Sequence, residues 1–349
     1  MAKQRAGKRI VKRVRAEAEQ QQQSNIAVNP FSYSFRKISK IAVVPPTTLF
    51  EIRKPELRLA LVSLPKITSL RKKELTTACS KSVQVDHESC KRVLIGHANA
   101  DEYLRLFKSA LRTATKRHKA DIICFNELAF PQNAALGPNV KAADFCRKMA
   151  ADHKLLIVAG SMHDSRTLYN TTFVFYPGCD RFGYQYHKQI SASQLKPPEL
   201  VSVPSRRESV YLRAFGLEIS ILVCIDLLDY SSVAPVVRSE TDLLLAPCYS
   251  DWLEPLERVA IATSRGMPGA VALVNRHQPV KPGSVLYRFG NSEPVEGSVE
   301  SIGAKGGSLS GSVVVHTIDV EDFKSEKYRL NIAPHASTVS LFGQKTVIR

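Results

Sequence analysis

Three short segments, far apart in the chain, constrain the fold more than the overall composition does. They read DIICFNE, ending at Glu127, GYQYHK, ending at Lys188, and ILVCID, which contains Cys224. The first and third follow an apolar run of strand type, and the second is a mixed aromatic run. A carboxylate, an ammonium and a thiol at strand ends are the groups that a covalent thioester mechanism needs to attack a carbon–nitrogen bond. We therefore expect a fold that brings these side chains together.

The length and composition indicate a soluble globular protein. The 349 residues suffice for one large domain with appendages or for two small domains, and the apolar content is ordinary. No apolar run approaches the roughly 18 residues that span a bilayer. The N-terminus also has no apolar segment of signal-peptide type. We expect a cytoplasmic protein.

The cysteines and histidines form no recognisable metal or disulfide pattern. Seven cysteines are scattered without CxxC spacing, and nine histidines show no HExxH or HxH arrangement. Several cysteines, such as Cys124 and Cys224, lie in apolar runs where buried reduced thiols are common. We assign no metal and no disulfide framework. The thiol, carboxylate and ammonium complete the reaction without a cofactor.

The net charge of +17 is unusual for a globular protein of this size. Residues 1–56 contribute +8, and their first 24 residues combine a basic cluster with a glutamine run. Three interpretations stay open for this arm. It is a solvated tail, a mitochondrial presequence, or an arm that binds nucleic acid or a protein partner.

The chain divides into an extension, a central domain and a tail. We assign residues 1–56 to a basic extension, partly disordered or helical, 57–320 to the domain and 321–349 to the C-terminal tail. Within the domain, residues 66–98 are polar without periodicity and predict an insertion or a long loop. The Gly- and Ser-rich stretch 283–311 predicts a flexible loop.

Strands and helices alternate along the central domain. Apolar runs predict strands at 57–64, 122–125, 155–160, 210–214, 218–224, 243–246, 271–274 and 312–318, with a hairpin at 169–176 and 182–188. Three- and four-residue apolar spacing predicts helices at 101–118, 140–153, 233–238 and 255–265. This order predicts an α/β fold with two stacked, mixed sheets and helices outside.

At these segments the chain resembles the nitrilase or carbon–nitrogen hydrolase superfamily. The resemblance covers about residues 57–320 and implies a four-layer α-β-β-α sandwich. It places the family's catalytic Glu, Lys and Cys at Glu127, Lys188 and Cys224. The family uses a second Glu between the Lys and the Cys. Glu199 is the best positional candidate for it, and Glu208 is the runner-up.

The resemblance, with elementary chemistry, gives each residue a role. Glu127 takes the proton of the Cys224 thiol and later activates water. Lys188 holds the thiolate and the developing oxyanion by charge, and the backbone N–H of Ile225 is a second oxyanion donor. Glu199 orients Lys188 or the leaving nitrogen. The implied activity is hydrolysis of a non-peptide amide.

Several positions depart from the family pattern. Asn126 stands where Pro is usual before the first Glu, Ile190 where His is usual, and Ile225 where an aromatic residue is usual. These departures predict a divergent branch with its own substrate. Trp252, on a loop, either walls the pocket or packs structurally. Cys248, near the same loop, is interpreted as structural.

Two other functions and one assembly state follow from the same residues. One rival is a catalytically weak or inactive module on this fold, which binds nucleic acid or a larger assembly through its basic arm. The other is an amide-forming acyltransferase that passes the thioester to an amine. The resemblance also implies a homodimer, across which residues 320–349 extend.

Overall fold

The apolar runs of the chain form two mixed β-sheets in the computed structural model. The structure describes residues 40–43, 49, 52–65, 97, 99–133, 135–191, 203–204, 208–239, 241–267, 269–277, 283–303, 307–325, 339–341 and 344–346. These residues belong to one compact unit, Ile38–Arg349. Among the helices of these ranges, none combines the length and apolar character needed to cross a membrane.

Four of the sequence predictions lie wholly or mostly outside the described residues. They are the basic arm before residue 40, nearly all of the 66–98 insertion, residue Glu199 and most of the 321–349 tail. Within that tail, Phe323 is described and is buried between the sheets.

Nearly all of the predicted elements are present. Within the described residues the strands are β1 (Lys40–Val43), β2 (Glu56–Ser63), β3 (Ile122–Phe125), β4 (Leu156–His163), β5 (Asn170–Phe175), β6 (Tyr184–His187), β7 (Glu208–Ala214), β8 (Leu217–Ile221), β9 (Leu243–Pro247), β10 (Ala270–Val274), β11 (Ser284–Arg288), β12 (Ser298–Gly303), β13 (Ser310–Asp319), β14 (Val339–Leu341) and β15 (Gln344–Thr346). The helices are α1 (Ala100–Arg112), α2 (Val140–His153), α3 (Tyr230–Arg238) and α4 (Glu254–Gly266). A π-helical turn, Thr113–Arg117, extends α1, and a 3-10 turn spans Cys224–Leu228.

The strand order explains where a site can form. One sheet runs β1-β7-β8-β9-β10-β11, a second runs β12-β13-β2-β3-β4-β5-β6, and β14 pairs with β15. Strands β2, β3 and β4 are parallel, and so are β8, β9 and β10. Loops that follow the carboxyl ends of parallel strands meet at one edge of a sheet, and ligands of α/β proteins bind there.

Side-chain alternation along the strands sorts the core into layers. On β2, Leu59 and Leu61 face the other sheet, whereas Ala60 and Val62 face α1 and α2. On β9, Leu245 faces the other sheet and Leu244 faces α3 and α4. Because successive strand residues point to opposite faces, two apolar faces per sheet require covering layers on both sides. The result is the predicted α-β-β-α sandwich, which is confirmed.

Helix ends follow the local sequence. Asn99 caps α1 by accepting from the Glu102 N–H at 3.1 Å, and Asn139 caps α2 by accepting from the Lys141 N–H at 3.0 Å. Asp229 caps α3 in the same way, and Pro255 lies in the first turn of α4. These side chains satisfy N–H groups that the first helical turn leaves without partners.

Two predictions about elements are wrong. Residues 283–311 are not one flexible loop, because they contain β11, which pairs with β10, and β12, which pairs with β13. Glycine and serine lower strand propensity, and pairing with a neighbouring strand overrides it here. The strand predicted to reach Cys224 ends at Ile221, so the thiol lies in a turn beyond β8. The first sheet also contains a strand that precedes residue 57, because β1 pairs with β7.

Candidate active site

The structure brings Glu127 and Lys188 into direct contact. The Lys188 Nζ donates to the Glu127 Oε1 at 2.7 Å, and these residues are 3% and 2% exposed. Glu127 lies two residues beyond β3, and Lys188 follows β6 directly. A buried ion pair is costly to desolvate, so it contributes little to stability and is more typical of a functional site.

The carboxylate of Glu127 has a second donor on the neighbouring hairpin. The Asn170 Nδ2 donates to the same Oε1 atom at 2.8 Å. Asn170 begins β5, which is paired with β6, so the hairpin carries both the amide and the ammonium that contact Glu127. Two donors, the charged Lys188 ammonium and the neutral Asn170 amide, hold the carboxylate in one orientation.

The backbone on both sides of Glu127 is tightly held. Leu128 has a φ of 62°, a left-handed conformation that is strained for a residue with a side chain. Its N–H donates to the Ser161 Oγ at 3.1 Å. The N–H of Glu127 donates to the Cys248 carbonyl at 3.2 Å. The turn that presents the carboxylate is therefore anchored to both sheets.

Asn126 explains one departure from the family pattern. Its Oδ1 accepts from the Leu64 N–H at 2.7 Å, and its Nδ2 donates to the Glu127 carbonyl at 2.8 Å. A proline at this position has no side-chain amide to make these bonds. Gly160, with a φ of 75°, lies so close that a Cβ atom would stand 2.3 Å from the Asn126 carbonyl oxygen. The turn before Glu127 thus depends on the Asn126 amide and on the absence of a side chain at Gly160.

Cys224 has a strained backbone and a partly exposed thiol. Its φ is 51°, and it opens the 3-10 turn after β8. Of the five cysteines in the described ranges, it alone is not fully buried. A residue forced into the left-handed region by its surroundings is often found at a catalytic site. The turn therefore places Cys224 beyond the end of β8, outside the sheet.

Cys248 connects the thiol to the ion pair. It follows β9, its side chain forms a hydrogen bond with that of Cys224, and its carbonyl accepts from Glu127. The pKa of the Cys248 thiol is raised by the bond to Cys224, by burial and by the charges of Cys224 and Glu127, while Lys188 lowers it. All three predicted catalytic side chains therefore act on this one buried thiol.

Asp226 ties the Lys188 segment to the Cys224 turn. Its fully buried carboxylate accepts from the N–H groups of Gln189, at 3.0 Å, and Ile190, at 2.9 Å. It also accepts from the Tyr186 hydroxyl at 3.1 Å. Burial raises the pKa of Asp226 to about 7, although these hydrogen bonds and the charge of Lys188 act to lower it. Asp226 is a positioning residue.

We expect Asp226→Asn to slow hydrolysis by about 10- to 10²-fold, because misplacing catalytic groups by a fraction of an ångström has effects of this size. Asparagine keeps one oxygen for the N–H groups of Gln189 and Ile190, but its amide nitrogen cannot accept from the Tyr186 hydroxyl and the Val223 N–H, which donate to Oδ2 in the wild type. The rate is measured beside Asp152→Asn, which changes a half-exposed carboxylate elsewhere. Equal rates for the two variants would show that Asp226 positions nothing.

A pH signature distinguishes this role from general damage. The folded protein keeps a proton on Asp226 up to about pH 7, whereas the unfolded chain releases it at lower pH. The wild-type free energy of unfolding therefore falls through this window, and Asp226→Asn lacks that loss. The stability of the wild type minus that of the variant, measured in urea titrations, should decrease between about pH 4 and about pH 7.

The remaining predicted site residues have different outcomes. Ile225 is half-buried directly after the thiol, and Trp252 is 68% exposed on the loop after Cys248. Glu199 lies outside the described residues. The carboxylate of Glu208 accepts from the Tyr184 hydroxyl at 2.8 Å, and its N–H donates to the Gln189 side chain at 3.0 Å. The roles of these residues stay predictions.

Side chains beyond β10 hold the loop that carries Trp252. The Asn275 side chain accepts from the Ser250 N–H at 2.8 Å and donates to the Ser250 carbonyl at 2.9 Å. Asp251 pairs with Arg276, whose guanidinium lies 5.8 Å from the centre of the Tyr249 ring. The loop beside Cys248 is therefore held by the two residues that follow β10.

Sequence reasoning did not find two of these contacts. It treated Cys248 as structural, although the offset between β8 and β9 places it beside Cys224. It gave Asn170 no role, and the hydrogen bond to Glu127 supplies one. Within the described ranges, no cluster of three His, Cys, Asp or Glu side chains lies close enough to hold a metal ion.

Comparison with known families decides the family of this chain. The sequence model of the family described as carbon-nitrogen hydrolase matches residues 82–277, more than half of the chain. The chain belongs to the carbon–nitrogen hydrolase family. This confirms the predicted resemblance and makes the protein a carbon–nitrogen hydrolase. No curated protein sequence matches the chain.

Solved structures support the same fold. Nit3 from Saccharomyces cerevisiae, of branch 10 of the nitrilase superfamily, is 12% identical with a TM-score of 0.50, over 83% of this chain and 99% of that one. XC1258 from Xanthomonas campestris, a CN-hydrolase superfamily protein, is 17% identical with a TM-score of 0.52, over 78% and 94%. An amidase from Nesterenkonia sp. is 16% identical with a TM-score of 0.48, over 80% and 97%. The first two establish the likeness of fold.

Proposed function

We propose that this hydrolase cleaves a non-peptide amide through a thioester on Cys224. The observation that carries the proposal is the buried Lys188–Glu127 ion pair at 2.7 Å, joined to the Cys224 thiol through Cys248. A carboxylate base, a fixed positive charge and a thiol that share one pocket are the parts of nucleophilic acyl transfer. The partial exposure of Cys224 leaves its sulfur accessible to substrate.

The first half-reaction breaks the carbon–nitrogen bond. Glu127 takes the thiol proton, and the Cys224 sulfur attacks the amide carbon. The carbonyl oxygen gains the negative charge, and the Lys188 ammonium and the Ile225 N–H stabilise it. When the carbonyl re-forms, the C–N bond breaks and Glu127 returns the proton to the leaving nitrogen. The products are a free amine or ammonia and an acyl thioester.

The second half-reaction regenerates the thiol. Glu127, again ionised, takes a proton from water, and the hydroxide oxygen attacks the thioester carbon. The same two donors stabilise the second oxyanion. The C–S bond then breaks, the acid leaves, and the proton returns to the Cys224 sulfur. Glu199, as the second glutamate, orients Lys188 in this scheme, with Glu208 as the alternative.

The test of this function is a panel of amides, nitriles and carbamoyl compounds. Released ammonia or amine and the new acid are followed by mass spectrometry. We expect turnover of at least one simple amide. An added amine acceptor separates hydrolysis from acyl transfer, because a transferase forms the new amide in place of the acid. Failure of the folded protein to turn over any member would contradict the proposal.

The substrate pocket is expected to differ from that of other family members. Ile225 replaces the aromatic residue usual after the nucleophile, and Trp252 stands on the loop that Asn275 fixes beside Cys248. We propose that these two side chains border the acyl part of the substrate. Ile225→Phe should then change the order of rates across the panel more than Val299→Phe, an exposed control position.

The basic arm favours a second role beside hydrolysis. Residues 1–56 carry twelve Lys and Arg against four Asp and Glu. We propose that this arm contacts a polyanion such as nucleic acid. Binding then weakens steeply with added salt and disappears when residues 1–24 are deleted, while the hydrolysis rate stays unchanged. Binding that survives the deletion would contradict a role for the arm.

We also propose that the protein is a homodimer. Leu228, the last residue of the nucleophile turn, and Tyr230, the first residue of α3, are 36% and 41% exposed. Exposed apolar side chains grouped on one surface are typical of protein contacts. Light scattering during gel filtration should give twice the mass of one chain, and a monomer mass at micromolar concentration would contradict the proposal.

A further inference from the structure

Two thiols lie at matching positions just beyond the ends of two neighbouring strands of the active site. Strands β8 and β9 pair in parallel, with Ile219 opposite Leu243 and Ile221 opposite Leu245. The pairing continues one residue further, where the Leu222 N–H donates to the Leu245 carbonyl at 3.1 Å. The same offset of 24 residues places Cys224 opposite Cys248. The two thiols lie close enough to interact, since the Cys224 side chain raises the pKa of the Cys248 thiol.

This arrangement suits a covalent link between the two sulfurs. Neighbouring strands lie about 4.8 Å apart, and disulfides join residues whose Cα atoms are roughly 4.4 to 6.8 Å apart. The turn at Cys224 brings its side chain toward that of Cys248. The link therefore needs rotation of side chains rather than a change in the spacing of β8 and β9.

The two thiols differ in accessibility. Cys224 is partly exposed, whereas Cys248 is fully buried and donates to the Ala246 carbonyl at 3.2 Å. Cys124, Cys146 and Cys179 are also buried. Among the five cysteines that the structure describes, a dissolved oxidant therefore meets Cys224 first, and the thiol beside it is that of Cys248. An exposed reactive cysteine beside a resolving cysteine is the usual arrangement of a redox-sensitive pair.

We propose that Cys224 and Cys248 form a reversible disulfide when the protein encounters a hydroperoxide. The Cys224 sulfur attacks the peroxide oxygen, the O–O bond breaks, and Cys224 becomes a sulfenic acid while water or an alcohol leaves. The Cys248 sulfur then attacks the Cys224 sulfur, the S–O bond breaks, and a second water leaves with the Cys248 proton. Two thiols lose two electrons in total, and the peroxide gains them.

The disulfide has two consequences. It occupies the sulfur that attacks the substrate, so it stops hydrolysis, and this consequence rests on the proposed function. It also protects Cys224 from the irreversible sulfinic and sulfonic acids, because the sulfenic acid is consumed first. A dithiol reductant restores both thiols by exchange. The thiol pair thus makes the hydrolase activity sensitive to oxidants and lets a reductant restore it.

The test uses the full-length protein and hydrogen peroxide. After oxidation, free thiols are alkylated under denaturing conditions, and digested peptides are identified by mass spectrometry. We expect a Cys224–Cys248 cross-linked peptide that disappears with dithiothreitol. A free Cys248 beside an oxidised Cys224, or a Cys224 linked to another cysteine, would overturn the proposal.

A variant and a matched control sharpen this result. Cys248→Ser keeps a hydroxyl that donates to the Ala246 carbonyl but has no sulfur to form the link. We expect its Cys224 to accumulate as sulfinic or sulfonic acid that dithiothreitol does not reduce, whereas Cys146→Ala still forms the cross-link. If Cys248→Ser misfolds, the presence or absence of the cross-link in the wild type still tests the proposal. Recovery of Cys224 with reductant in a folded Cys248→Ser protein would overturn the proposal.

Activity provides an independent measurement. The wild type, compared with its own untreated rate, should lose hydrolysis after peroxide and regain it after dithiothreitol. If the cross-link forms in a protein that hydrolyses no member of the panel, the proposed function fails and the thiol pair stands. If hydrolysis occurs without any cross-link, the function stands and the thiol pair fails.

Discussion

Replacing Cys224 with alanine should reduce the rate of amide hydrolysis by roughly 10⁴-fold or more. Alanine removes the only atom that forms the covalent bond to substrate, so the thioester route has no substitute. Cys248 does not replace it, because its thiol is buried and its pKa is raised by its bond to Cys224 and by burial. The measurement is the steady-state rate on the best amide of the panel.

A matched cysteine separates this effect from loss of structure. Cys146 is fully buried in the layer formed by α1, α2 and the larger sheet. Cys146→Ala removes a thiol of the same size and leaves the Glu127 region untouched, so its rate should stay within about twofold of the wild type while its stability falls slightly. Comparable losses in both variants would show that the effect at residue 224 is structural.

Replacing Glu127 with glutamine should lower the turnover rate by about 10³- to 10⁴-fold, near the upper end for a general base. Glutamine has the same shape but cannot take a proton from the thiol or from water, and Glu127 performs both transfers. A variant that reacts as fast as the wild type would refute the assignment of Glu127 as the base. The measurement is turnover of the same amide, with the variant's folding checked by circular dichroism.

Glu127→Gln also leaves a buried charge without its partner. Lys188 is 3% exposed and pairs with Glu127, so the single variant should lose about 3 to 5 kcal/mol of stability. The double variant Glu127→Gln/Lys188→Met removes both charges and should regain most of this stability while remaining inactive. If stability and activity return together, the ion pair serves the fold rather than the chemistry.

The order and number of the predicted strands and helices predicted two stacked sheets with helices outside, and the family resemblance implied the four-layer sandwich. Leu57 to Leu64 and Leu243 to Ala246 have apolar side chains on both strand faces, and a strand buried on both faces requires covering layers on both sides. Strands β11 and β12 were not predicted because Gly- and Ser-rich segments acquire pairing only from their neighbours, β10 and β13. Such long-range pairing leaves little local signal.

The candidate site was predictable in its residues and less so in its contacts. The reactive side chains follow strands or strand-like runs in the sequence, and this pattern predicts Glu127, Lys188 and Cys224. The contacts that hold them come from residues with ordinary local patterns. Asn126 binds the backbone of Leu64, and Asp226 binds the backbone after Lys188. Because these hydrogen bonds join segments far apart in sequence, no local sequence pattern predicts them.

Identifying the site of the acyl group during turnover tests the central claim most directly. The protein is mixed with the best amide, quenched in acid within a turnover, and digested for mass spectrometry. The account predicts a mass increase equal to the acyl group on the peptide that contains Cys224, and none in Cys224→Ala. An acyl group on a different residue, or continued hydrolysis by Cys224→Ala, would contradict the account.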